Sequence, residues 1–330
     1  MGRKMHLAVS LDIASATGQA GLTFGEISAF VRKAETAGIE IVMISDSLPD
    51  GERSTSPFEA TTLVAALATV TEKIGLVAAA STVAHQPYNL ARRFASLDII
   101  SHGRAGWNAT MTQAPDEAGN FSRPEEFSDD DFRRRAEEYI AVVQRLWNGW
   151  DADALLFDKS GGRFHDPEKM HLLDHKGEFF SVRGPLNVAR SPQDTPVLVL
   201  SGLSEADFDI AARAADIIVW DEWPAVESKA RYDDFRHRVS MCGSEPDTVK
   251  VLTCISLPSE GIIGLADRLE EQFRAKSCDG FNILMSPEPA VLDDFVHHVL
   301  PELRRRGLFR ENHVGTTMRA HLGLAGGGDR

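Results

Sequence analysis

Apolar runs of strand length alternate with segments of helical period along almost the whole chain, and this alternation limits the fold more than any other feature. Met5–Ile13 (MHLAVSLDI) reads as a first strand. Ile27, Phe30, Val31, Ala34 and Ala37 then mark one helical face. It opens with Thr23 three residues before Glu26, the spacing of a capping box, and Gly38 suits its C′ position. Glu40–Ser45 is a second strand that ends in Asp46, followed by helical spacing at Leu63, Ala66, Leu67 and Val70. Ile74–Thr82 (IGLVAAAST) is a third strand finishing on small polar residues. Pro87 opens the next helix, where its missing N–H costs nothing. Arg104–Met111 is the fourth strand, and a long amphipathic helix with an acidic start at Asp129–Asp131 follows. Pro196–Leu200, Asp216–Trp220, Val249–Leu257 and Gly280–Met285 supply the remaining strands, each with a helix behind it.

About eight strand–helix units in strict order predict an α/β fold, a single (β/α)8 TIM-like barrel over residues 1–324 with a disordered tail at 325–330. A doubly wound open sheet has the same periodicity, but no G-x-G-x-x-G follows the first strand. One stretch breaks the rhythm. Asp151–Thr195 is long and polar without period, so a loop or hairpin insertion is expected between the fourth helix and the fifth strand, with Glu178–Val182 as one short strand.

The 330 residues are 43% hydrophobic, enough for a full core. A formal net charge of −14 argues against nucleic acid or an anionic membrane as the main partner. It does not argue against a phosphate-bearing cofactor, because backbone dipoles hold such groups locally. Cys242, Cys254 and Cys278 have no metal-ligand spacing, and reduced thiols in a cytoplasmic protein are expected. No apolar run reaches membrane-spanning length, and Asp12 cuts the first one too short for a signal peptide.

In a barrel of this kind the site is built at the C-terminal ends of the strands. Asp46, Ser81–Thr82, Asn108–Thr112, Ser201–Ser204, Trp220–Glu222, Ser256 and Met285–Ser286 stand there. Most have two readings. Gly202 lets backbone approach a ligand, and free N–H groups before Ser204 suit a phosphate, yet Ser204 also reads as a helix cap. Asn108 is unusual on a strand, as a donor to a ligand carbonyl or as a satisfied polar group of the interior. Asp46 suits a ligand hydroxyl or a loop cap. His85, just after the third strand, reads as an acid, a base or an exposed loop histidine. Trp220 suits the wall of an apolar or planar ligand, or core beneath a helix. His165, His171 and His175 share the long polar segment, but Gly161, Gly162 and Pro167 argue against the helix that zinc ligands at His171 and His175 need, so no metal is expected.

Several segments resemble one family. They are ARRFASLDIISHGRAGWNATM, AEEYIAVVQRLWNGW, the stretch from DKSGGRF to PVLVLSG, DGFNILMS and LPELRRRGLFR. Together they resemble the bacterial luciferase-like flavin monooxygenases, within them the nitrilotriacetate and dibenzothiophene-sulfone monooxygenase group, in order from Ile41 to Leu324. The resemblance implies reduced FMN supplied by a separate NAD(P)H:flavin reductase. It implies a flavin C4a-(hydro)peroxide formed with O2, a small substrate that contains sulfur or nitrogen, and a homodimer. By position it implies Asp46 as the acid after strand two, and Ala80 and Ser81 as the small residues under the isoalloxazine. Asn108 falls near the flavin ring, and Gly202, Leu203 and Ser204 fall around the phosphate.

The chain also departs from the family pattern. The histidine and the Trp-Arg pair usual after strand one are missing from Ser10–Gly21, Arg133 stands about where a tyrosine is usual, and the long insertion after strand seven is absent. His85 is then the nearest candidate for a catalytic acid or base. These departures leave two rival expectations. One is a non-catalytic or partner-dependent flavin-binding homologue, the other a deazaflavin (F420)-dependent oxidoreductase of the same superfamily.

Overall fold

The computed structural model describes residues 2–13, 15–16, 22–46, 54–55, 58–111, 128–257, 262–286 and 288–326. Eight parallel strands close into a barrel: β1 (His6–Asp12), β2 (Ile41–Ser45), β3 (Gly75–Ser81), β4 (Ala105–Thr110), β5 (Val197–Ser201), β6 (Ile217–Trp220), β7 (Lys250–Ser256) and β8 (Gly280–Met285). Each strand pairs with its neighbours in sequence, and β1 closes the ring by pairing with both β2 and β8. The expected barrel is therefore the observed one.

Around it lie α1 (Phe24–Thr36), α2 (Ala60–Ala68), α3 (Pro87–Ile100), α4 (Asp129–Trp147), α5 (Phe208–Ala214), α6 (Ala225–Met241) and α7 (Leu265–Arg274). After them, α8 (Pro289–Asp294) runs through a π turn (Phe295–Val299) into α9 (Leu300–Arg305). The local signals act as expected. Thr23 and Glu26 form a capping box on α1, and Gly38 follows the helix with φ +75°. Pro87 occupies the first turn of α3. Ser128 and Asp131 form a second capping box, and it starts α4.

The strands split their side chains between two compartments by their period of two. Outward residues meet the helices. Trp107 is fully buried there, with ring centroids 6.1, 6.0 and 6.2 Å from Phe94, Tyr139 and Trp147, and its indole N–H donates to the Ala80 carbonyl at 2.9 Å. Inward residues Ala8, Met43, Val77, Val199, Val219 and Leu252 fill the barrel.

The N-terminal end of the barrel is plugged by α10 (Met318–Leu322), a helix too short to show a period in the sequence. Met318 and Leu322 join the interior cluster. Gly75 and Gly106 make room for Met318: a Cβ on Gly75 would lie 2.5 Å from its Sδ, and one on Gly106 2.8 Å from its Cε. Arg319 locks the plug by pairing both guanidinium nitrogens with Asp216 at 3.0 and 2.8 Å and donating to Thr195 Oγ1 at 2.9 Å.

The long segment after α4 holds two antiparallel ribbons, Leu155–Asp158 with Arg163–His165 and His175–Lys176 with Ser181–Val182. Glu138 of α4 pins the second ribbon. It faces His175 Nε2 at 2.8 Å and accepts from the N–H groups of Phe179 and Phe180 at 2.9 and 3.0 Å. The connection from β7 to α7 runs only from Leu257 to Gly264, the short link expected there.

Met318→Ala should cost about 2–4 kcal/mol of folding stability, because it empties a fully buried site that glycines were placed to accommodate. Urea unfolding measures it, and a loss under about 0.5 kcal/mol, the scale of a surface substitution, would contradict the seated plug.

Candidate functional site

The far end of the barrel differs in chemistry from the plugged end. With Val77, Val199 and Leu252 facing in, the same parity turns Ala79 and Ser81 of β3, Asn108 of β4, Ser201 of β5 and Cys254 of β7 toward the mouth. Asn108 lies in register with Ala79 on one side and Val199 on the other. Its Oδ1 accepts from Ser201 Oγ–H at 3.0 Å, and its Nδ2 takes no partner among the described residues. A second polar group stands on β1, β7 and β8. Ser10 Oγ and the Asn282 amide bond at 2.8–3.0 Å, and Asn282 Nδ2 reaches Cys254 Sγ at 3.5 Å. Asn282 is an Asn on a strand, so the signal that singled out Asn108 applies to it equally, although the sequence reading did not raise it.

The loop after β5 has the form of an anion cradle. Gly202 has φ +65°, and a Cβ there would meet nothing within 4 Å, so a ligand can approach the backbone. Leu203 packs its side chain against the outer core, and its N–H takes no partner among the described residues. Ser204 forms a capping box with Asp207, whose other oxygen accepts from Arg133 Nε of α4 at 3.1 Å.

Two expected ligand contacts point elsewhere. Ala80 follows inward Ala79, so its side chain faces the helices; Ala79 is the small residue at the mouth. Trp220 follows inward Val219 and is buried under α5 and α6, 6.2 Å from Phe208 and 6.3 Å from Phe235 by ring centroid. Its indole N–H donates to Thr253 Oγ1 at 3.2 Å. Strand parity, which the motif alone does not show, decides both.

Ser81 and Asp46 shape backbone. Ser81 Oγ accepts from the N–H groups of Val83 and Ala84 at 3.0 and 3.3 Å. Asp46 Oδ2 accepts from Ala60 N–H at 2.9 Å at the start of α2, beside the Glu59 cap. Burial pushes the Asp46 carboxyl above its usual range against that bond. His85 is half-buried, and burial first, then Arg93, hold its imidazole below the usual range while Glu59 and Asp46 oppose. Asp46, Glu59, His85 and Arg93 thus form one electrostatic group beside the mouth. Thr112, expected at the end of β4, lies outside the described residues. Among the described residues no cluster of three or more His, Cys, Asp or Glu side chains is placed to hold a metal, and His171 pairs with Asp151 at 2.9 Å instead.

The family model of the luciferase-like monooxygenases matches residues 4–258. The chain belongs to this family. It is a flavin-dependent monooxygenase, of a class whose members use reduced flavin. N-acetyl-S-(2-succino)cysteine monooxygenase of Bacillus subtilis (strain 168) is 30% identical over 97% of this chain and 94% of its own. Nitrilotriacetate monooxygenase component A of Aminobacter aminovorans is 33% identical over 89% of this chain and 88% of its own. The crystal structure of long-chain alkane monooxygenase superposes with a TM-score of 0.88 at 22% identity, covering 99% of this chain and 97% of that one, and shares the fold. The alignment with the Bacillus enzyme runs to 414 positions against the 330 residues here, so that relative carries long segments with no counterpart in this chain.

The residues at the mouth fit a flavin. The open space at Gly202 and the N–H of Leu203 suit a phosphate, and the Asn108 amide beside small Ala79 suits a ring edge lying on β3 and β4. Asn108→Ala should weaken reduced-flavin binding about tenfold, the scale of one lost hydrogen bond to a ligand. Trp220→Phe should leave binding unchanged and lower stability by about 1 kcal/mol through the lost bond to Thr253. Anaerobic titration and urea unfolding separate the two; weaker binding in Trp220→Phe alone would contradict the parity assignment.

Proposed function

We propose that this chain uses reduced FMN, delivered by a separate NAD(P)H:flavin reductase in the cytoplasm, and O2 to oxygenate a small organic molecule that contains sulfur or nitrogen. One observation carries the reading. In a member of this family, the Asn108–Ser201 pair and the open Gly202–Ser204 loop stand side by side on β4 and β5 at the barrel mouth. The relatives' names give the substrate class, since one acts on a thioether and another on a tertiary amine.

FMN, when bound, supplies the oxygen chemistry, and the chain's own residues position it and keep water away. Gly202, Leu203 and Ser204 would hold the phosphate, and Asn108 Nδ2, beside the small Ala79, would donate to the ring system. Ser81 and Asp46 hold the adjoining turns in place through their backbone bonds. His85, whose imidazole burial first and then Arg93 hold below its usual range, would stand at the rim as the nearest proton acceptor for a reacting substrate. As the resemblance implies, the active form is a homodimer.

The short β7–α7 link favours a second reading, in which another protein chain covers the mouth. The name "component A" belongs to a relative that works with a further component.

The test supplies 18O2, NADH, FMN and a flavin reductase to the purified chain with a panel of thioethers and tertiary amines. Labelled product that requires both reductase and FMN is expected. Binding of reduced FMN with release of hydrogen peroxide and no product would favour the covering partner. Binding of reduced deazaflavin but not reduced FMN would overturn the assignment.

A further inference from the structure

Two donors of the β5 loop, the N–H and Oγ–H of Ser204, are already taken by a carboxylate of the protein itself. Asp207 Oδ2 accepts from the Ser204 N–H at 2.8 Å and from the Ser204 Oγ–H at 2.5 Å. Its Oδ1 accepts from Arg133 Nε at 3.1 Å, and Arg133 Nη1 also donates to Asp130 Oδ1 at 2.5 Å. The Asp207 and Arg133 side chains are 15% and 29% exposed. Both anions involved are acceptors only: a phosphate monoester and a carboxylate need the same N–H and O–H, and Ser204 has one of each.

A phosphate arriving over Gly202 therefore meets a like charge that holds the donors it needs. The cradle itself is intact. Leu203 N–H has no partner among the described residues, and the space above Gly202 is open. Arg133 comes from a different element, α4, and reaches the loop through that carboxylate, at 3.1 Å from Asp207 Oδ1. Such a partly exposed ion pair breaks at small cost, so the carboxylate can yield, but its charge stays close by.

We propose that Asp207 is a built-in competitor for the flavin phosphate and Arg133 the group that decides between them. Without a phosphate, Asp207 caps Ser204 and pairs with Arg133. With one, Ser204 and Arg133 pass to the phosphate and Asp207 turns out to solvent. The net gain from the phosphate is then small, and this chain discriminates FMN from riboflavin weakly. The inference rests on the flavin reading above and adds a specificity determinant to it.

Reduced FMN and reduced riboflavin are titrated anaerobically into the full-length chain, Asp207→Asn and Arg133→Gln, with melting temperatures recorded in parallel. Asn keeps the cap geometry and removes the charge. Asp207→Asn should tighten FMN about tenfold and Arg133→Gln weaken it about tenfold, as for removing one like or one opposite charge at short range, with riboflavin moving by less than about twofold in each. Changes that are equal for the two flavins would show a purely structural role and overturn the proposal. FMN affinity unmoved by either substitution, with both flavins bound, would overturn it and leave the flavin reading standing. If no variant, nor the parent chain, binds either flavin, both fall together.

Discussion

A parallel sheet that closes on itself has a single interior, and every second side chain of its eight strands must share it. That constraint organises the whole molecule. At the N-terminal end the interior is apolar and sealed, with Met318 seated over Gly75 and Gly106. At the other end the same parity delivers Ser10, Asn108, Ser201, Cys254 and Asn282. These polar side chains line the end opposite the plug, and α10 fills the other.

The fold was legible because alternation of strand and helix is a long-range pattern that single residues cannot hide. Thr23–Glu26, Pro87 and Gly38 marked helix ends by local chemistry that acts the same in any context. At the mouth the sequence signals only a residue type out of place, as with Asn108, which the structure brings beside Ser201. Ala80 and Trp220 show the limit. Each stands beside the residue that faces the mouth, and a one-residue change of parity moves a side chain to the other compartment. The plug helix was missed for a different reason: five residues cannot display a period, and the fit of Met318 exists only once β3 and β4 are side by side.

The chain also differs in length from a relative. The link from β7 to α7 is short, and the alignment with a full-length relative leaves long segments unmatched. The β3–β5 wall stands at the mouth, and the segment after α4 is tied to that helix through Glu138. Arg135 links the two, with its guanidinium 4.8 Å from the Phe180 ring centroid and a bond to the Thr82 carbonyl at 2.9 Å. Cys254 near the mouth has its thiol pushed up to about 11 by burial.

The central claim is that the mouth over β3, β4 and β5 is a flavin site. A crystal structure of the chain with FMN bound tests it most directly. The account predicts the phosphate over Gly202–Ser204 and a ring edge within hydrogen-bond distance of Asn108 Nδ2. A flavin found at the plugged end or on the outer helices, with the mouth unchanged, would contradict it.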